Sequence, residues 1–368
     1  MGKAGILEVR KIWGKQIPHK YWLCAKRNKQ GNPIVATSVT SAFNKFQKDF
    51  VNLDPENSRN ARSSRDWLVN KVHGFPNKDS SFPTLYKEKD IFFGSFSRKT
   101  KKRPLDDIDI MICLNAQGGN YSESSNGIEI NVSDSASDLK ALCYEDTNIL
   151  NSRKVINKFV SLLNDVPQYE KAEIKRNQEA ATIKLTSYDW NFDLVPCFFT
   201  KEDCLGNTYY LIPNGTGDWK KTDPRKDRDK VQEANKQNNG NLLNAIRILK
   251  YWNKRPTMPS IGSYLIENMI LKYYEQASVS AASEYVDLEI PKLLLHIRDS
   301  VYSAVYDPKG IQGDINNLTS DEKSKIWDRA NTDYIKAIDA RNLESDNDHK
   351  GSINKWREVF GGEFPEYG

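Results

Sequence analysis

Two aspartates one residue apart, Asp107 and Asp109, stand at the head of an apolar run, DIDIMICL, that ends at Leu114. Strands disfavour Asp, whose short charged side chain competes with the backbone and resists burial. On a strand, residues i and i+2 share a face. Asp107 and Asp109 would therefore project together while Ile108 and Ile110 turn into a core. Two carboxylates held that close repel each other and need a cation. Hard divalent ions with oxygen ligands, magnesium above all, suit them. Asp193 repeats the pattern, a lone acid between Phe192 and Leu194 in a second apolar run. Beside the first two it would complete a site for two metal ions, which orient an attacking hydroxyl and stabilise a leaving phosphate oxygen.

Upstream lies the pair Gly94-Ser95. Glycine permits close backbone approach, and adjacent N–H groups with a serine hydroxyl can cradle phosphate oxygens. The basic stretch from Arg98 to Arg103 comes next. It either raises the local potential for a triphosphate or forms a solvated loop, and the sequence leaves both open. Asp106 falls on the opposite face of the strand and is not expected to be a ligand.

Periodicity supplies the scaffold that would carry these residues. The segment SVTSAFNKFQKDFVNL places Phe43, Phe46 and Phe50 at helical spacing. SSRDWLVNKVHGF reads as a second helix with Ser63 or Ser64 as its cap. DIFFGS and IDIMICL read as strands, residues 115–138 as a long loop or irregular hairpin, and NSRKVINKFVSLLNDV as a helix. AATIKLTSY and WNFDLVPCFF read as two further strands. KKTDPRKDRDK alternates charge sign and reads as a solvated link. The expected order is a helical lead (1–60), an α+β core (61–212), a connector (213–230) and a helical second lobe (231–368).

Composition narrows the classes. The chain has 368 residues, 38% of them hydrophobic, and no apolar run approaches the roughly 20 residues of a membrane helix. Glu8, Arg10 and Lys11 interrupt the N-terminal apolar patch too early for a signal peptide, so the cytoplasm is the default. The five cysteines lack regular spacing, and Cys113 and Cys197 sit in strand-like runs as core residues. His19, His73, His296 and His349 share no ligand spacing, which argues against zinc or histidine chemistry. A net charge of +5 suits a pocket for small polyanions and does not demand a nucleic-acid polymer.

The Gly94-Ser95 turn, the Asp107-Ile108-Asp109 strand and the later Asp193 together resemble the DNA polymerase β-like nucleotidyltransferase superfamily. That resemblance implies a mixed-sheet core with flanking helices, two Mg2+ ions (or Mn2+) on Asp107, Asp109 and Asp193, and a triphosphate gripped by Gly94 and Ser95. In the second half, a helix ending in Lys250-Tyr251-Trp252, a Pro-containing loop and then Ser263 opening a helix resemble the second lobe of oligoadenylate synthases and poly(A) polymerases. This implies that Lys250 and Ser263 contact the donor triphosphate across a cleft between the lobes. GDWKKTDPRKD, LLNAIRILKYWNK and the ending INKWREVFGGEFP are similar to the bacterial cGAS/DncV-like nucleotidyltransferases, the CD-NTases.

That family resemblance implies a template-independent enzyme. It would join nucleoside triphosphates, ATP and/or GTP, into a cyclic di- or trinucleotide second messenger for antiphage (CBASS) defence, read by a downstream effector. Lys184, in the strand before Asp193, would steady the acceptor's phosphates or simply face solvent. The competing readings are an RNA-tailing nucleotidyltransferase and a catalytically inactive nucleotide-binding relative. The first would need a long basic groove; the second commonly loses an acid, and all three are present. The chain ends at Gly368, which invites either attachment to another molecule by ubiquitin-like machinery or an ordinary frayed end.

Overall fold

A computed structural model of the chain describes residues 34–125, 127–256, 259 and 261–368. The lead before residue 34, with His19 and Cys24, lies outside the described residues.

Strand β1 (Val35–Ala36) leads into helix α1 (Val39–Phe46), which starts on a reciprocal cap between Ser38 and Ser41. Helix α2 spans Pro55–His73. The sequence placed its cap at Ser63 or Ser64, yet both serines lie inside it. Pro55 has its φ preset for a first helical turn. The Asp54 carboxylate just before it accepts from the N–H groups of Glu56 (2.9 Å) and Asn57 (3.2 Å).

The α+β core comprises β2 (Ile91–Phe93), the one-turn helix α3 (Gly94–Ser97), β3 (Asp107–Leu114), the hairpin β4 (Asn120–Ser124) and β5 (Gly127–Asn131), and α4 (Ser152–Asn164). Strands β6 (Glu173–Asn177), β7 (Ala180–Lys184), β8 (Asn191–Phe199), β9 (Tyr210–Pro213) and β10 (Trp219–Thr222) complete it. They form one mixed sheet in the order β2-β3-β8-β9-β10-β5-β4, with the β6–β7 hairpin joined to β8. Strands β3 and β8 run parallel in the centre.

Alternation along β3 and β8 divides the sheet's two faces. Ile108, Ile110, Ile112, Phe192 and Leu194 pack with α2 and α4, through Leu68, Val72, Ile156 and Phe159. The other face carries a smaller apolar layer of Met111, Cys113, Val195 and Cys197, and the acids stand at the N-terminal end of that same face. Neither cysteine is in a disulfide.

The second lobe consists of α5 (Pro224–Gln237), α6 (Leu242–Asn253), α7 (Ser263–Tyr274), α8 (Val286–Ser300), α9 (Ser320–Ser345) and α10 (His349–Phe360). Helix α1 packs into its core rather than against the sheet. The Phe43 ring meets Trp356 at 4.9 Å and Phe364 at 5.0 Å.

Two local expectations change. KKTDPRKDRDK is no solvated link: it runs from the end of β10 into α5. Trp219, just before it, is buried and donates to the Leu150 carbonyl (3.0 Å). Asp227 is buried too and accepts from the Tyr264 hydroxyl (2.5 Å). The C-terminal end is not frayed either. Strand β11 (Glu366–Tyr367) pairs in parallel with β1, and the Gly368 N–H donates to the Ala36 carbonyl at 3.2 Å. Among the described residues no helix is long and apolar enough to cross a membrane.

Candidate active site

Parallel pairing of β3 with β8 sets Asp109 directly beside Asp193, and Asp107 beside Asn191. On the other edge of β3, antiparallel β2 sets Phe93 beside Asp109, so the chain leaves β2 at Gly94 against that same carboxylate. Gly94 has φ +71°, and a β-carbon built there would overlap the Asp109 carboxylate. Only glycine lets this turn lie so close to the acid. The turn is tied to the basic stretch, since the N–H groups of Thr100 (3.0 Å) and Lys101 (3.1 Å) both donate to the Ser95 carbonyl.

The three acids are half-buried and crowd one another. Burial first, then the charges of Asp107 and Asp193, push the Asp109 carboxyl up to about 7. Burial also raises Asp107, against the pull of Lys101. It raises Asp193 against the Thr182 hydroxyl, which donates to its Oδ1 at 2.6 Å. The Lys101 ammonium contacts both Asp107 and Asp106, so Asp106 shares a cation with the row although its strand parity is opposite.

This donor set suits a divalent ion. It is all carboxylate oxygen, and its mutual repulsion is what a cation relieves. Among the described residues no three His, Cys, Asp or Glu side chains form a ready-made metal cage. Magnesium usually takes only one or two carboxylates and completes its shell with water and substrate phosphates, so the residues fit it.

The other expected residues are placed differently from one another. Lys184 ends β7 on the face of Thr182, two residues on, and is exposed. Ser263 is exposed at the start of α7. That helix start is held by Tyr264, whose hydroxyl accepts from Lys309 (2.7 Å) and whose ring lies 5.6 Å from the Arg98 guanidinium. Lys250 does not face an open cleft. Only 3% exposed, its ammonium is engaged by Glu267 and donates to the Thr100 hydroxyl at 3.1 Å. A side chain long enough to leave the apolar stripe of α6 has here found a buried partner.

The basic stretch is largely consumed inside the protein. Arg98 donates to Glu267 (2.7 Å), Lys101 holds the acids, and Arg103 bonds the carbonyls of Asn52 and Asp49. Sequence reasoning placed Lys101 in the basic stretch without its contact to the acids, and missed Thr182 and Glu267 as members of this region. Glu267 carried a signal that went unused, a lone acid in the apolar run SYLIENMIL, the same mark that singled out Asp193. A cavity of about 660 Å3 lies alongside, lined by Lys102, Leu105, Asp106, Trp190, Tyr251 and Glu363 among others. None of the three acids lines it.

The fold is that of a polymerase β-like nucleotidyltransferase core, a mixed sheet with a C-terminal helical region. A protein of Bacillus cereus (strain VD146) named probable cyclic nucleotide synthase is 43% identical over 331 residues, 90% of this chain and 98% of that relative. A cyclic AMP-AMP-AMP synthase of an Acinetobacter strain is 27% identical over 51% of this chain and 54% of its own length. Among solved structures, Escherichia coli CdnC with ATP superposes with a TM-score of 0.62 at 17% identity, covering 88% of this chain and 98% of CdnC. E. coli DncV bound to 3'-deoxy GTP gives 0.58 at 12% identity, covering 85% of this chain and 92% of DncV. No family model matches. The chain belongs to the bacterial CD-NTase family. It is an enzyme, a nucleotidyltransferase, and its relatives support cyclic oligonucleotide synthesis.

Proposed function

We propose that the chain joins nucleoside triphosphates, ATP and/or GTP, without a template into a cyclic di- or trinucleotide. The product would act in the bacterial cytoplasm as an antiphage (CBASS) signal through an effector that binds it. The observation that carries this reading is the pairing of Asp109 with Asp193 across β3 and β8, with the Gly94 backbone pressed against the same carboxylate. The nucleotides bound by CdnC and DncV support the substrate class.

Asp107, Asp109 and Asp193 would hold Mg2+, or Mn2+ in its place, and the ions would supply charge neutralisation at the phosphates and activation of the acceptor hydroxyl. The chain's own groups would do the rest. Gly94 and Ser95 would cradle the triphosphate with backbone N–H groups and the serine hydroxyl, and Ser263 would reach it from the facing helix. Lys250 would contribute positive charge from the buried seam behind the turn, and Lys184 would steady the acceptor. A ribose hydroxyl oxygen bonds to the α-phosphorus as the bond to the bridging oxygen breaks. Pyrophosphate leaves with that electron pair, and the hydroxyl proton passes to the Asp193 carboxylate. Repeating the step on the linear product closes the ring. Catalysis of this kind rests on positioning and electrostatics.

The test is incubation of the chain with all four nucleoside triphosphates and Mg2+, followed by mass spectrometry of the products. Small nuclease-resistant rings are expected. Replacing Asp107 and Asp109 with Ala should lower their yield on the order of 10³-fold, a barrier increase of about 4 kcal/mol. Extension of added RNA, or product formation that survives the double substitution, would defeat the reading. Attachment through Gly368 would require β11 to peel from β1. The intact mass of the chain expressed with a ubiquitin-like system checks it.

A further inference from the structure

The seam between sheet and helical lobe holds one carboxylate and two cations away from water. Glu267, on α7, is 1% exposed. It accepts from Arg98 Nε at 2.7 Å and from the Thr100 hydroxyl at 2.7 Å, and it pairs with the Lys250 ammonium. Burial alone would raise its carboxyl, but Lys250 and Arg98 outweigh that and hold it down at about 2. The anion is therefore firmly ionised. Arg98 also feels the buried Asp227 carboxylate, whereas burial together with Arg98 and Lys101 lowers Lys250, so Glu267 is the carboxylate that touches both cations directly. Taking a partner away from a buried charge is costly, so both cations depend on an anion at this place.

The cluster lies immediately behind the Gly94-Ser95 turn. Arg98 ends the helical turn that Gly94 begins, its N–H bonded to the Gly94 carbonyl at 3.2 Å. Thr100, which touches both Glu267 and Lys250, donates its N–H to the Ser95 carbonyl. A phosphate group in the turn would feel the charge of Arg98 and Lys250 from across the turn, while Glu267 holds both directly. Two anions that share a pair of cations compete for them and repel each other.

We propose that Glu267 is a positioning residue that acts as resident counter-anion to Lys250 and Arg98, competes with the substrate's phosphates for those cations, and thereby sets nucleotide affinity. It rests on the reading that a triphosphate docks at the Gly94-Ser95 turn. With the site empty, Glu267 offsets part of the burial that lowers Lys250, and joins the lobes. With nucleotide bound, the same carboxylate weakens the grip and favours release of pyrophosphate.

The experiment uses inorganic tripolyphosphate, titrated calorimetrically into the full chain in EDTA so that the acid row and its ions play no part. Glu267→Gln should bind it about tenfold more tightly than the native chain, which corresponds to 1.4 kcal/mol. Its KM for nucleoside triphosphates should fall without a rise in kcat. Lys250→Met should bind tripolyphosphate at least about tenfold more weakly, which keeps the proposal testable if Glu267→Gln does not fold. Thr100→Val, which removes a hydroxyl and no charge, should stay within about twofold. Weaker or unchanged binding in Glu267→Gln, undiminished binding in Lys250→Met, or no binding by the native chain each overturns the proposal. Failure of the synthase reading looks different, because it would leave this metal-free competition intact while native protein made no cyclic product.

Discussion

The acid row on β3 and β8 and the cationic seam between the lobes are opposite solutions to holding charge. In the row, Asp107, Asp109 and Asp193 are half-buried and outnumber the one ammonium at hand; burial raises all three, and Asp107 and Asp193 raise Asp109 further. In the seam, Glu267 is fully enclosed, yet every charge has a partner and the carboxyl stays ionised. The loop of residues 98–101 connects them, so a crowded acidic row and a fully paired cluster sit a few residues apart. Removing one carboxylate from each region should therefore have opposite effects on stability.

The largest effect belongs to the seam. Glu267→Gln strands two cations out of water and should destabilise the metal-free chain by about 3–5 kcal/mol, read as a lower denaturation midpoint. A neutral outcome would mean that the seam is open to solvent and the contrast false.

Asp109→Asn should do the reverse. A carboxyl at about 7 in the folded chain against 3.8 unfolded binds its proton more tightly when folded. The stability this contributes is fully present below about pH 4 and is lost as pH rises through about 7. Because the carboxylate still reaches solvent, the gain from Asn in EDTA should be about 1–3 kcal/mol at pH 8. It should shrink toward nothing at pH 4. A gain that does not vary with pH would show that charge crowding is not its cause. The same titration predicts that divalent-ion binding weakens as pH falls below about 7, measurable by calorimetry.

The smallest change sharpens the row. Thr182→Val deletes the hydroxyl that donates to Asp193. With that bond gone the Asp193 carboxyl should rise further, and product formation at pH 7 should drop about three- to tenfold, consistent with one charge-assisted hydrogen bond. Recovery at pH 8.5 would confirm the proton as the reason.

Much of the row was legible in the residues. Asp107, Ile108, Asp109 and Ile110 announce a two-faced strand, because a pleated chain has no other way to bury alternate isoleucines. Gly94 and Asp193 could be nominated as well, though not the overlap that makes Gly94 obligatory. The seam was far less legible. Lys250 was recognised, but its ionic partner is 17 residues away and its hydroxyl partner 150. Nothing local distinguishes a lysine that will be enclosed from one that stays in water. The start of α2 at Asp54-Pro55 was missed because its first turns, PENSRNAR, carry almost no apolar residue to show a period. The charge run after Trp219 hid a strand and a helix, because one buried tryptophan anchors more than a window of eleven residues reveals.

Residue type and period were enough to set the sidedness of β3 and of β8 separately, since that is a property of a few neighbouring bonds; the register that brings Asp193 beside Asp109 is tertiary. Partner choice was not. Whether Arg98 and Lys250 would share Glu267, and whether β11 would close on β1, depended on which distant surfaces met when the helical lobe packed on the sheet. The energy of a charge is set by the medium and the counter-charges around it, and those exist only once the chain has folded.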